Sequence, residues 1–252
     1  MRRLALALLL AVASPGFGFD LGSMSDEERA QFRAEVRAYL LENPEVLVEA
    51  INTLDAKQAA LQASNDVKLV SENAAAIFAD GRSWAGGNVE GDVTVVEFVD
   101  YRCGYCKKAH AEVSGLVAGD GKIRYILKEF PILGDQSVLA SRFAIAVRTL
   151  GGADLYWKMH DQLMTFRGDI APETLDHLAS TLGLDPGAVR AAMEAPEVMA
   201  EITANRALGD LLQISGTPTF VLQVKTEGTA PQMLRGYVPQ SQMQAMIADL
   251  RS

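Results

Sequence analysis

Two cysteines, Cys103 and Cys106, are the only ones in 252 residues, and they stand directly behind a near-continuous apolar run, VTVVEFVDY, at residues 93–101. A short run this rich in β-branched residues suits a strand buried on both faces. The residues after the pair read as a helix, which places Cys103 at an exposed helix N-terminus and Cys106 a turn inside. Free N–H groups and the positive end of the helix dipole favour a thiolate at the first position. Cys103 is therefore expected as the attacking sulfur and Cys106 as the thiol that resolves a mixed disulfide. A metal site needs more ligands, and the chain's histidines, His110, His160 and His177, extend the set to Cys103, Cys106 and His110 at best. No metal is assigned. A purely structural disulfide would close too short a loop to remove much chain entropy.

Composition narrows the remaining classes. With 49% hydrophobic and 22% charged residues, the chain can bury a core and is unlike a disordered chain, a collagen-like repeat or a polytopic membrane protein. A net charge of −9 and a pI near 4.9, with no basic patch, argue against nucleic acid as a partner. Arg2 and Arg3 precede an apolar run over residues 4–13, far shorter than the roughly 20 residues a membrane span needs, and Gly16 and Gly18 follow. This is the pattern of a secretory signal peptide at 1–18, cleaved near Gly18. It places the protein in the bacterial periplasm, where thiols can be oxidised.

Residues 19–80 are expected to form an N-terminal helical association segment. Ser25 and Glu28 make a capping box, with Asp26 and Glu27 in the first turn. Asn43 and Pro44 read as the N-cap and first position of a second helix. Along that helix Leu47, Ile51, Leu54 and Leu61 form a stripe suited either to self-association or to packing on the rest of the chain. Residues 81–252 change character. Residues 83–85 read as a short strand, the glycines at 86–87 as part of a turn, and 122–130 (KIRYILKEF) as a strand completing a βαβ unit with 93–101. A helical insertion is expected over about 135–212. Residues 219–224 and 233–236 then read as a hairpin, before a closing helix at 239–251.

The string VVEFVDYRCGYCKKAH, the later GTPTF and the helical block between them resemble the DsbA-like branch of the thioredoxin superfamily. The resemblance implies an α/β thioredoxin fold with an inserted helical domain, here preceded by the N-terminal helical segment. It aligns Thr217 and Pro218 with the family's cis-proline loop, expected to bind substrate backbone. It also implies a buried acid at Glu97, which shares a strand face with Val95 and Val99; a carboxylate among valines should be desolvated and raised in pKa, and its implied role is proton exchange with Cys106. Lys107 and Lys108 raise the local positive potential or simply solvate the first turn of the helix. Tyr156, Trp157 and Met159 read as core.

The string YLLENPEVLVEAINTL at residues 39–54 resembles the extension of suppressor-of-copper-sensitivity (ScsC-type) thiol oxidoreductases, some of which oligomerise through it. The Gly104-Tyr105 dipeptide of CGYC and the threonine before the proline also resemble the disulfide isomerase DsbC. Together these resemblances imply a thiol–disulfide oxidoreductase without a cofactor, as an isomerase or reductase. A DsbA-type dithiol oxidase and a Cu(I)-binding copper-tolerance protein stand as alternatives. The implied partners are exported proteins with cysteines, a membrane redox partner that recycles the pair, and further copies of the chain.

Overall fold

The structure, a computed structural model, describes residues 21–226 and 228–252. The signal peptide expected at 1–18 lies outside the described residues. The chain divides into two compact units, one ending at Gln58 and the other comprising Ala59–Ser252. No described helix is long and apolar enough to cross a membrane.

In the first unit a short 3-10 turn (Leu21–Ser23) leads into α1 (Asp26–Glu42). The Ser25–Glu28 capping box is formed in both directions, satisfying two N–H groups that the first turn leaves without partners. The structure corrects the role of Asn43. Its side-chain amide donates to Tyr39 O and closes the C-terminus of α1, while α2 (Glu45–Glu72) begins only after Pro44. No residue of α1 is buried. Leu47, Ile51 and Leu54 of α2 are each about half exposed.

In the second unit the expected helical segment behaves differently. Val70 at the end of α2 and Ile77 in α3 (Ala74–Phe78) are buried with Val96, Phe98, Ile126 and Phe130. These residues belong to the core of the sheet, so the division falls at 58 and not at 80. The sheet has the order β1–β3–β2–β4–β5. Its strands are β1 (Trp84–Gly87), β2 (Val93–Val99), β3 (Ile123–Glu129), β4 (Thr219–Val224) and β5 (Gln232–Arg235). β2 and β3 are parallel, joined through α4 (Gly104–Asp120), and the other pairs are antiparallel. The first strand lies one residue later than expected and runs through Gly86 and Gly87.

Every residue of β2 is buried because both faces of this central strand are covered. Val93, Val95 and Val99 face a cluster with α4, α5 (Asp135–Thr165) and α9 (Gln240–Arg251), whereas Val96 and Phe98 face α3 and α8 (Pro196–Leu211). At roughly 1.5–3 kcal/mol for each fully buried aliphatic side chain, this strand anchors the second unit. Helices α5, α6 (Pro172–Thr181), α7 (Pro186–Met193) and α8 form the block between β3 and β4. Within α5, Gly152 adopts φ 77° and ψ −172°, dividing the helix where a side chain would be strained.

Candidate active site

The exit of β2 and the start of α4 set the site. Cys103 is the N-cap of α4, in extended conformation, and its sulfur accepts the Cys106 N–H at 3.4 Å. Its thiol also lies 3.2 Å from the carbonyl oxygen of Thr217. The Thr217–Pro218 peptide bond is cis. Both cysteines are free thiols, and their environments push them in opposite directions. A hydrogen bond from the Cys106 thiol lowers the Cys103 pKa to about 5 against the opposing effect of burial, helped by contacts with Thr217 and the N–H groups of Cys106 and Tyr105. Burial drives the Cys106 thiol far above its ordinary range, reinforced by the Cys103 contact and the charge of Glu97. A thiolate beside a protonated thiol is the arrangement that disulfide exchange requires.

Glu97 sits in the middle of β2, 2% exposed, and accepts a hydrogen bond from the Tyr125 hydroxyl of β3. Burial lifts its carboxyl to about 8, an effect that the Tyr125 bond reduces and the Cys103 charge increases. Cys103, Cys106 and the Thr217–Pro218 loop thus meet at one end of the sheet, and Glu97, within β2, is close enough for its charge to act on both sulfurs.

Two groups of residues here were not singled out from the sequence. Asp100, fully buried, accepts Arg102 N at 2.7 Å and Ser137 Oγ at 2.8 Å on one oxygen. On the other it accepts Ile132 N at 2.8 Å and Leu133 N at 3.1 Å. One carboxylate therefore ties the turn before Cys103 to the loop after β3. The signal available was an acid at the exit of a buried strand. The second group is centred on Glu129, at the end of β3, which accepts from Tyr101 at 2.8 Å, Tyr156 at 2.5 Å and Ser141 at 2.7 Å. Burial raises its carboxyl to about 7 against those hydrogen bonds. Tyr101 also contacts His160 Nδ1 at 3.2 Å, and the His160 ring lies 5.1 Å from that of His110. Tyr156 is thus core, as expected, and also a hydrogen-bond donor. Among the described residues no group of three His, Cys, Asp or Glu is placed to hold a metal. His110 Nε2 turns to Asp161 at 2.9 Å, so the set Cys103, Cys106 and His110 is not assembled.

Comparison with known proteins agrees with this geometry. A model of the DSBA-like thioredoxin domain matches residues 94–248, and one of the copper resistance protein ScsC N-terminal domain matches residues 28–60. A thioredoxin-like oxidoreductase from Silicibacter pomeroyi DSS-3 is 41% identical with a TM-score of 0.63, covering 70% of this chain and 96% of that one. BcfH of Salmonella enterica Typhimurium is 28% identical with a TM-score of 0.74, covering 90% and 97%. The thiol-disulfide exchange protein alpha-DsbA2 from Wolbachia pipientis is 25% identical with a TM-score of 0.67, covering 74% and 96%. Among curated proteins, Na(+)/H(+) antiporter NhaA 1 of Salinispora arenicola (strain CNS-205) is 34% identical over 139 residues, 55% of this chain and 21% of that one. The chain spans about a fifth of the length of the antiporter relatives it matches. The domain match covers more than half of the chain and includes the cysteine pair, Glu97 and the Thr217–Pro218 loop: the chain belongs to the DSBA-like thioredoxin-domain family of thiol–disulfide oxidoreductases.

Proposed function

We propose that the protein is a periplasmic protein-disulfide isomerase or reductase in which Cys103 attacks, Cys106 resolves, Glu97 relays a proton, and Thr217 and Pro218 hold substrate backbone. The observation that carries the exchange roles is the opposition between the two thiols, with Cys103 held near pKa 5 and Cys106 kept protonated by burial; the isomerase or reductase direction is supported instead by the exposed apolar side chains of the N-terminal helices. In the reductive direction the Cys103 thiolate attacks a substrate disulfide. One S–S bond breaks, a mixed disulfide forms, and the leaving substrate thiolate takes a proton from water. Cys106 then gives its proton to Glu97 and attacks Cys103. This closes the Cys103–Cys106 bond, releases the second substrate thiolate and reduces the substrate by two electrons. For isomerisation the substrate's own thiol displaces Cys103 first, and the enzyme ends as it began.

DsbA-like proteins exchange thiols with substrate proteins and with redox partners. For this chain the proposed partners are exported proteins with cysteines and a membrane protein that recycles the pair. The signal-peptide pattern over 1–18, with its expected cleavage near Gly18, supports the periplasm. Self-association through the N-terminal helices is supported by exposed Tyr39, Leu47, Ile51 and Leu54, and several active sites on one assembly favour reshuffling over a single exchange. One observation favours the oxidase alternative: a thiolate stabilised near pKa 5 stabilises the reduced form and makes the disulfide more oxidising.

Trapping tests the site. Cys106→Ser should accumulate a mixed disulfide on Cys103, whereas Cys103→Ser should trap nothing; trapping by the second variant would reverse the assignment. The reduction potential then decides direction. A value near about −120 mV would favour the oxidase, and one of about −180 mV or below the isomerase or reductase.

A further inference from the structure

A chain of net charge −9 gathers cations beside its nucleophile. Arg102 directly precedes Cys103, and its guanidinium donates to Gly168 O at 2.7 Å. Lys107, whose N–H bonds Cys103 O, places its ammonium 2.6 Å from Phe166 O. Arg167, exposed, lies on that same loop between α5 and α6. The three side chains converge on the carbonyls of one short segment closely enough that, beyond the effect of burial, Arg167 and Arg102 both push the Lys107 ammonium down. Among the described residues, Asp169 is the one carboxylate in ion-pair contact with any of them, 3.9 Å from Arg102 and itself largely exposed. Buried Asp100, which holds four hydrogen bonds from neutral donors, offsets part of this repulsion at Lys107 and leaves the cations in excess.

The backbone ties this cationic edge to an apolar one. Asp100 binds the Arg102 N–H and the N–H groups of Ile132 and Leu133. Ile132 and Leu133 are 37% and 53% exposed, and Tyr105, inside the Cys103–Cys106 loop, is 64% exposed. Three cations beside two carboxylates lower their mutual repulsion when a further anion arrives, and exposed apolar side chains beside them give up water to an unfolded segment. We infer that the surface around Cys103 selects extended peptide segments in which an apolar stretch carries Asp or Glu next to the disulfide-bonded cysteine. Charge complementarity decides the occupant: the carboxylate of the segment joins Arg102, Lys107 and Arg167, while its cysteine meets the Cys103 thiolate. The inference rests on the proposed role of Cys103 and names the substrate class for it.

The test uses the full chain in reduced form and in excess, so that its own two thiols supply the electrons. Two peptides serve as probes, identical but for Glu or Lys on both sides of one cysteine, which is disulfide-bonded to the neutral thiol 2-mercaptoethanol. Rates are read by acid quenching and separation of products. At 0.01 M salt, where the screening length is about 30 Å, the acidic peptide is expected to react about 10-fold faster. The ratio should shrink toward one at 1 M salt, where the length is about 3 Å. Arg167→Glu should bring the low-salt ratio near one, and Asp169→Asn should raise it about 2-fold above the starting value. Turnover of both peptides at equal rates, or a ratio insensitive to salt and to both substitutions, would overturn the inference and leave the exchange reading standing. Failure to exchange with either peptide would overturn both.

Discussion

The carbonyl oxygen of Thr217 stands 3.2 Å from the sulfur of Cys103, across 114 positions of sequence. The contact exists because β4 pairs antiparallel with β2, with Phe98 opposite Thr219, so the strand that delivers the nucleophile and the loop that faces it meet at one sheet end. A substrate strand laid along that loop would bring its disulfide to the sulfur whose thiolate is stabilised.

That stabilisation couples oxidation state to folding. Cys103 titrates near 5 in the folded reduced protein and near 8.5 when unfolded. As for any acid with a lowered folded pKa, its contribution is complete above the unfolded value and is lost as pH falls through the folded one. The disulfide form has no such group. The stability of the reduced protein relative to the oxidised one should therefore grow between about pH 5 and 8.5, by up to about 1.4 kcal/mol per pH unit. Urea denaturation of both forms across that range checks this; parallel curves would mean that the Cys103 thiolate is not stabilised.

Glu97 has the opposite linkage. Its folded pKa of about 8 lies above the unfolded value of about 4.3, so the folded state loses stability as pH rises between them. Glu97→Gln should remove that loss and give a reduced protein more stable at pH 8. If the carboxylate also takes the Cys106 proton, the same variant should slow release of the mixed disulfide by about 10²-fold or more and abolish the rise in that step through pH 8. Rapid-quench kinetics with a trapped peptide separates the two effects, and unchanged release at every pH would remove Glu97 from the mechanism.

Lys128 is fully buried in β3, with its ammonium 2.6 Å from Asp80 and 2.7 Å from Ala76 O. Burial alone would raise the Asp80 carboxyl, but hydrogen bonds from Lys128 and from the Ser83 and Arg82 N–H groups hold it at about 2. Its stabilising contribution is thus present above about pH 4 and lost as pH falls through 2. Lys128→Met should destabilise by about 3–5 kcal/mol at neutral pH by stranding Asp80, and adding Asp80→Asn should recover part of that. Thermal melts of the two variants make the comparison; equal melting temperatures would show that the pair is not coupled.

Removal of the N-terminal unit tests assembly. Because Val70 and Ile77 belong to the core of the sheet, the cut belongs at 58. A chain beginning at Ala59 is expected to keep its fold, sediment as a monomer and reduce simple disulfides, but reshuffle scrambled substrates poorly. A full-length protein that is already monomeric at micromolar concentration would set the oxidase reading ahead.

The sequence by itself determined the features that depend on neighbours along the chain. The apolar run of 93–99 announced a strand covered on both faces, Ser25 and Glu28 announced a helix start, and the spacing of the cysteines behind a strand announced opposed thiol environments. Even the burial of Glu97 was legible, since strand alternation puts it on the face of Val95 and Val99. Local reasoning misplaced Asn43, because a side chain at a helix junction can satisfy either helix and only the chain's path chooses the carbonyls of α1. It ended the first strand too soon, because Gly86 and Gly87 have little strand propensity of their own and are held in the strand by pairing with Tyr125 and Arg124 of β3, Gly87 at a φ of 65° that closes the strand. Asp100, Glu129 with Tyr101 and His160, the Lys128–Asp80 pair and the cationic edge at Phe166–Gly168 were left to the tertiary structure. Each consists of groups that are ordinary in sequence and become distinctive only when packing removes their water and brings partners from distant elements within hydrogen-bonding reach.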